Sequence, residues 1–68
     1  MELFLVLVEP KYAGNVGAVA RIMKNFGFSK LILVSPSFSI DDDECRKYAM
    51  HAQDVLDNAE IYRTFDEV

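Results

Sequence analysis

The sequence predicts an α/β fold, a Rossmann-like parallel βαβαβ unit with helices on the faces of its sheet. Three observations support this prediction: two apolar runs at residues 3–8 and 31–34, the second preceded by Lys30, an amphipathic helical pattern between them, and a second helix-then-strand pattern over residues 39–63. Strands buried on both faces of a parallel sheet are apolar at every position, so neither run needs to alternate.

The first strand is predicted over residues 3–8 and ends at Glu9-Pro10, because proline cannot donate a ladder hydrogen bond. A loop is expected at residues 11–15, followed by a helix. Gly27 is typical of a helix C-terminal cap. The apolar residues of this helix recur at helical spacing and are expected to lie in the core: Val16, Val19, Ala20, Met23 and Phe26.

The second strand is predicted over residues 30–34 and ends at Ser35-Pro36. Strand, helix and strand at this spacing form a βαβ unit, whose crossover is expected to be right-handed. Such a unit places the start of its helix at the carboxyl ends of the strands, where open α/β sheets form their sites.

The second half of the chain repeats the scheme less clearly. Ser39 and Asp42 have capping-box spacing and predict a second helix, and residues 59–63 are a strand candidate. The stripe predicted for that helix consists of Cys45, Tyr48, Ala49 and Ala52. Thr64 and Glu67 again have capping-box spacing, so a further helix is expected to begin at Phe65. Residues 1–68 are therefore interpreted as the N-terminal part of a single domain, whose isolated form should associate or be poorly stable.

Composition limits the class of protein. The chain has 68 residues, 51% of them hydrophobic, which excludes a disordered tail. Its single Cys45 closes no internal disulfide, and with His51 it supplies too few ligands for structural zinc. The longest apolar run has six residues against roughly 20 for a bilayer span, and no basic segment opens the chain. We therefore expect a cytoplasmic protein without membrane association.

The charge is unevenly distributed along the chain. The net charge is −4 and the pI about 4.7, which argues against broad nucleic-acid binding through a basic surface. Most of the positive charge is early, since residues 1–31 carry four basic residues against two acids, and residues 32–68 carry three against nine. A local basic site remains compatible with this distribution.

The most informative segment spans residues 14–21, where the first strand turns into the first helix. Gly17, Ala18 and Arg21 would share a helix face with little bulk beside one guanidinium, which a neighbouring subunit or an RNA phosphate and ribose could approach. The simpler alternative is a solvated surface arginine with glycines that ease the turn. The segment lacks both the G-x-G-x-x-G and Walker patterns, which excludes those two nucleotide-binding motifs. A generic anion site at the helix start is kept as an alternative.

Four other features have plain structural interpretations. His51 is expected to be structural or at the surface, and Cys45 a small buried hydrophobe. The acids at residues 41–44 suit a helix N-terminus better than a metal site. Tyr12, in the loop before residue 14, is expected to pack across the loop or to stack on a base. No metal is predicted.

In its strand–helix–strand context, Asn15-x-Gly17-x-x-x-Arg21 resembles the N-terminal part of SPOUT RNA ribose 2′-O-methyltransferases, in the TrmH/TrmJ-like branch. Residues 26–28, 31–36, 52–59 and 65–67 also resemble that branch, so the similarity covers nearly the whole chain. One departure is Met50-His51, where several relatives have glycine in an Ala-rich turn. The cofactor-binding knot motifs of the family would lie beyond Val68.

The resemblance implies methyl transfer from S-adenosylmethionine to a ribose 2′-hydroxyl of tRNA or another RNA, by a homodimer. Arg21 would be the catalytic residue, with Asn15, Gly17, Tyr12 and Lys11 as RNA-binding or motif-shaping residues. No cofactor-binding residues are expected within residues 1–68, so this chain alone should be inactive. A guanidinium is a weak base, so an arginine in this role either has a lowered pKa or orients the ribose and stabilises the developing alkoxide.

A second hypothesis belongs to a different class of protein. The chain would be a small nonenzymatic Rossmann-like module that oligomerises through residues 17–21 or holds an anion at the helix start. The two hypotheses differ in what they require downstream, because only the enzyme needs a glycine-rich knot and a cofactor loop.

Overall fold

The computed structural model describes residues 3–28, 30–64 and 66. Three parallel strands lie in the order β1-β2-β3: β1 (Phe4–Val8), β2 (Lys30–Val34) and β3 (Glu60–Tyr62). Helix α1 (Ala13–Phe26) joins β1 to β2; helix α2 (Asp43–Ala49), a 3-10 turn (Met50–Ala52) and helix α3 (Gln53–Asp57) join β2 to β3. The predicted α/β class, parallel sheet and βαβαβ order are confirmed.

The helices pack on one face of the sheet. Val16 and Ala20 of α1 share a single buried cluster with Cys45 of α2 and with Leu31 and Leu33, alternate residues of β2. Two right-handed crossovers that progress in one direction along a sheet place their helices on the same side. The molecule is accordingly a thin slab with extents of 31 × 30 × 15 Å.

The other face of the sheet corrects an expectation. Helices on both faces and a first strand buried on both faces were predicted, yet Phe4 and Val8 of β1 are 56% and 55% exposed. In the part of the chain that the structure describes, the helices cover only the face that carries Leu5 and Leu7. The exposed apolar face agrees with the expectation that isolated residues 1–68 would tend to associate.

The carboxyl ends of β1 and β2 have the same local geometry. Glu9 and Ser35 each precede a proline and adopt left-handed conformations, with φ of 51° and 52°. Each donates its backbone N–H to the neighbouring strand at 2.7 Å, Glu9 to Val34 and Ser35 to Tyr62. These bends end the strands and lead the chain towards the helical layer.

Helix α1 departs from its prediction at its start and in which of its residues are buried. It begins at Ala13, so residues 13–15 form its first turn rather than a loop. Gly27 caps the helix with φ of 74°, as predicted. Met23 is buried, whereas Phe26 is 73% exposed and is not the core residue that was expected. Phe26 is exposed because α1 turns the face that carries Ala20 and Met23 towards the other helices, and Phe26 lies outside that face.

The second helical segment is broken rather than continuous. Asp42, not Ser39, is the N-cap of α2, with its Oδ1 accepting the Glu44 N–H at 2.9 Å. The helix ends at Met50, whose φ of 50° interrupts the helical path. Tyr48 is 49% exposed and is not part of the core, so the buried stripe is Cys45, Ala49 and Ala52.

Strand β3 confirms the strand predicted near residues 59–63. The helix expected from Phe65 falls outside the described residues. No helix in the described ranges is long and apolar enough to cross a membrane.

Candidate functional site

An open cleft of about 650 Å³ lies between the N-terminal half of α1 and helix α2. We call it the α1–α2 cleft, defined by the residues that line it: Tyr12, Gly14, Asn15, Ala18, Glu44 and Tyr48. It adjoins the carboxyl edge of the sheet, because α1 begins soon after β1 ends. This is the position at which ligands bind in open α/β sheets.

Gly17 belongs to the same helix but is buried, in contact with α2. A methyl group at Gly17 would overlap the backbone carbonyl oxygen of Cys45 and lie 3.0 Å from the Ala49 nitrogen. The close partner of Gly17 is therefore the backbone of α2 in the same chain. The same contact removes Gly17 from the surface through which a nonenzymatic module was expected to oligomerise.

Gly14 lines the cleft next to Tyr48 and Glu44. A methyl group there would lie 2.9 Å from Cδ2 of Tyr48 and 3.6 Å from a carboxylate oxygen of Glu44. The missing side chain thus lets the Tyr48 ring pack close to α1, and both Tyr48 and Glu44 line the cleft beside Gly14. Neither Glu44 nor Tyr48 was singled out for function in the sequence, since nothing in their spacing relates them to residue 14.

Arg21 is exposed on α1, one turn beyond Ala18. Gly14, Ala18 and Arg21 follow one another at i, i+4 and i+7 and so lie on one face of the helix. Long helical side chains lean towards the helix N-terminus, which for Arg21 is the direction of the cleft. No ion pair or hydrogen bond joins its guanidinium to another described residue.

Tyr12, Lys11 and Asn15 are placed around the start of α1. Tyr12 is 70% exposed, and its backbone carbonyl accepts the N–H groups of Asn15 and Val16. Asn15 is exposed and lines the cleft together with Tyr12. Lys11 lies in a smaller adjoining cleft of about 180 Å³, which Tyr12 and Asn15 also line. The structure therefore gathers these three candidates, and Arg21 lies six residues beyond Asn15, nearly two turns further along α1.

Arg46 is the main structural residue that sequence reasoning missed. Its guanidinium binds Asp41 and Asp57 at 2.8 Å each, and donates to the Ile40 carbonyl and to Gln53. The Asp57 hydrogen bond is the largest cause that raises the pKa of Arg46. This network holds α2 and α3 together across the break at Met50, so Arg46 is not available to a ligand.

The remaining candidates have structural surroundings. Cys45 is fully buried, as expected for a small hydrophobe, and burial raises the pKa of its thiol. The ring of His51 lies 3.2 Å from Asn25 Oδ1 at the surface. Among the acids of residues 41–44, Asp42 caps α2 and Asp41 binds Arg46, which accounts for two of the four.

Comparison with known proteins identifies relatives over nearly the whole chain. Residues 2–68 match the SpoU rRNA Methylase family model. The chain is 52% identical over 63 residues to the tRNA (cytidine-2′-O-)-methyltransferase TrmJ of Methanocaldococcus jannaschii, covering 93% of this chain and 27% of that protein. It is 44% identical to the tRNA (cytidine/uridine-2′-O-)-methyltransferase TrmJ of Salmonella typhimurium, covering 93% of this chain and 26% of that one. The chain thus spans about a quarter of the length of these relatives.

Solved structures have the same fold. A probable methyltransferase from Bordetella pertussis matches with a TM-score of 0.87 and 37% identity, covering 96% of this chain and 40% of that one. TrmJ from Z. mobilis matches with a TM-score of 0.87 and 33% identity, covering 98% of this chain and 30% of that one. The family model matches residues 2–68, and TrmJ proteins are found both among the sequence relatives and among the solved structures. This chain therefore belongs to the SpoU methylase (SPOUT) family.

Proposed function

We propose that residues 1–68 are the N-terminal part of a single methyltransferase domain, and that the enzyme transfers a methyl group to a ribose 2′-hydroxyl of tRNA. The family match over residues 2–68 and the named activities of the relatives support this proposal. The observation that carries it is the position of Arg21, an exposed guanidinium without a partner among the described residues, one helical turn from an open cleft.

Arg21 would act on the attacking ribose. A 2′-hydroxyl becomes a competent nucleophile as its proton leaves, and negative charge then develops on the oxygen. The planar guanidinium has five donors that bind phosphate and ribose oxygens, and no nearby carboxylate of the described chain competes for them. Arg21 would orient the ribose and stabilise the developing alkoxide, in the manner of other preorganised donors.

The methyl donor implied by the family is S-adenosylmethionine, which supplies an electrophilic methyl group on sulfur when bound. A ligand of that size needs a pocket that buries most of its surface. Both clefts described here are open to solvent, so the residues present do not fit it. We assign the donor site to the rest of the protein.

We also propose a homodimer, and a cytoplasmic location where the tRNA substrate is found. An exposed apolar strip on α1 supports the dimer: Ile22 and Phe26 are 55% and 73% exposed, and lie four residues apart on one helix face. Exposed apolar residues that share a helix face are typical of a surface that another chain covers.

The test is transfer of labelled methyl groups from S-adenosylmethionine to bulk tRNA by the full-length protein. Arg21→Ala is expected to lower kcat/KM about 100-fold or more, the usual effect of removing a transition-state donor. Lys24→Gln is the matched control, since it removes an exposed cation of the same helix whose partner is Asp54, and should leave kcat/KM within about twofold. Equal transfer by the Arg21→Ala variant and the wild type would overturn the role of Arg21, and no transfer by the wild type would overturn the function itself.

A further inference from the structure

The α1–α2 cleft contains two groups that the proposed chemistry at Arg21 does not use. Tyr48 presents a half-exposed ring to the cleft, and Glu44 presents a carboxylate beside it. Tyr12 adds a second exposed ring on the same lining. Flat aromatic surfaces and a charged acceptor around one open space indicate a ligand that is itself flat and carries hydrogen-bond donors.

The aromatic groups suit a nucleobase. Proteins bind unstacked RNA bases by stacking them on tyrosine and similar side chains. Gly14 allows the Tyr48 ring to pack directly against α1 beside the cleft, because a methyl group at position 14 would lie 2.9 Å from Cδ2 of that ring. Lys47 lies 5.8 Å from the centre of the same ring and leaves a positive charge near the cleft, where a strand of RNA would pass.

Glu44 is the carboxylate on the lining of the α1–α2 cleft. Its carboxylate only accepts hydrogen bonds when ionised, and no described residue forms an ion pair or hydrogen bond with it. It repels phosphate, so the backbone of the RNA is not its partner. An exocyclic amino group is a suitable partner, and acidic side chains accept such a bond from N4 of cytosine. Uracil has a carbonyl oxygen at the same position and would place two acceptors together.

The position of the cleft relative to Arg21 links base and ribose. Seven residues separate Gly14 from Arg21, which is about 10 Å along the helix axis, and the arginine side chain shortens that gap by leaning towards the N-terminus. A base and its own ribose are joined by a single bond. One nucleotide can therefore occupy the cleft with its base and reach Arg21 with its sugar.

We propose that the α1–α2 cleft binds the base of the nucleotide to be methylated, stacked on Tyr48, with Glu44 accepting a hydrogen bond from the amino group of cytosine. This inference rests on the proposed function, since it names the base at the same site. It makes Glu44 a specificity-determining residue that favours cytidine over uridine.

The experiment uses the full-length protein and two tRNA transcripts that differ only in cytidine or uridine at the methylated nucleotide, located first by mapping 2′-O-methylation. The quantity measured is the ratio of kcat/KM for the two transcripts. Glu44→Gln is expected to lower the cytidine preference about tenfold, the size of one base-edge contact. Asp43→Asn is the matched control, because it removes an exposed acid from the same first turn of α2 and lies outside the cleft lining.

Two further variants test the stacking. Tyr48→Leu should lower kcat/KM about tenfold on both transcripts without changing their ratio, whereas Tyr48→Phe keeps a ring and should stay near the wild type. Thermal midpoints within a few degrees of the wild type would show that the variants fold. If Glu44→Gln transfers methyl groups normally and its kcat/KM ratio for the two transcripts is unchanged, the base site is overturned and the proposed function is not. The same conclusion holds if Glu44→Gln changes the oligomeric state but leaves that ratio unchanged. Absence of transfer by the wild type overturns the proposed function and the base site with it.

Discussion

Gly17 of α1 faces the backbone carbonyl of Cys45 in α2, so closely that no side chain fits between the two helices. The close approach brings Gly14 of the same helix up to Tyr48 and Glu44. The geometry of the cleft thus depends on a glycine that does not line it.

Replacement of Gly17 by alanine should destabilise the protein by about 1–3 kcal/mol, because the new methyl group meets backbone that cannot rotate away. Chemical denaturation followed by circular dichroism measures the change. Gly14→Ala is the matched control, since its obstacle is the half-exposed ring of Tyr48, which can move, and since alanine favours helix by about 1 kcal/mol. Equal stability of Gly17→Ala and the wild type would contradict the packing described.

The Arg46 network predicts a second stability effect. Arg46→Met removes charge-assisted bonds to Asp41 and Asp57 and should cost about 2 kcal/mol, since hydrogen bonds to charged groups contribute roughly 1.5–3 kcal/mol each while part of the network is exposed. Lys47→Met changes the neighbouring exposed cation and should cost less than about 0.5 kcal/mol. The difference in free energy of unfolding between the two variants is the measurement, and similar values would argue against the network.

Met50 carries backbone strain that glycine would relieve. Its φ of 50° with ψ of −114° lies where side chains are disfavoured. We expect Met50→Gly to raise the free energy of unfolding by about 1 kcal/mol, and Met50→Ala not to raise it. A destabilised Met50→Gly variant, measured by thermal and chemical unfolding, would show that the side chain matters more than the strain.

Stability should decrease in acid. The hydrogen bond from Lys24 lowers the pKa of Asp54, and the hydrogen bonds from Tyr62 and then Lys30 lower the pKa of Glu60. As the pH falls, these two carboxylates take up protons in the unfolded chain before they do so in the folded protein. The stabilisation is therefore present above the ordinary carboxyl pKa of about 4 and is lost as the pH falls through the lower pKa values of the folded state. Thermal midpoints between pH 6 and pH 3 should fall less steeply for Asp54→Asn than for the wild type. The same slope in both would contradict this assignment.

The proposed dimer depends on the apolar strip of α1. In the full-length protein, Phe26→Asp should shift the dimer towards monomer, because it places a charge in the centre of a covered apolar surface. Phe26→Leu keeps the surface apolar and should remain dimeric. Light scattering after size-exclusion chromatography, over a range of concentrations, decides the outcome. If the Phe26→Asp protein stays dimeric, the dimer interface does not include this apolar strip.

Local patterns in the sequence were sufficient for the order and type of the elements. The apolar run at β2, the stripe through Val16, Ala20 and Met23, and the cap at Gly27 each depend on neighbours along the chain, so each could be predicted from it. The motif residues Asn15, Gly17 and Arg21 were also visible, because spacing along one helix defines their relation.

Contacts between helices could only be decided by the tertiary structure. Phe26 and Tyr48 match the apolar stripes in spacing and are nevertheless exposed, because the rotation of α1 and α2 about their axes is set by the Gly17–Cys45 approach. Glu44 and Tyr48 join the site for the same reason, as a contact between residues about thirty positions apart has no local pattern. The sequence by itself determined the α/β order of elements and the motif that carries Arg21, and the packing of α2 against Gly17 decided which side chains surround it.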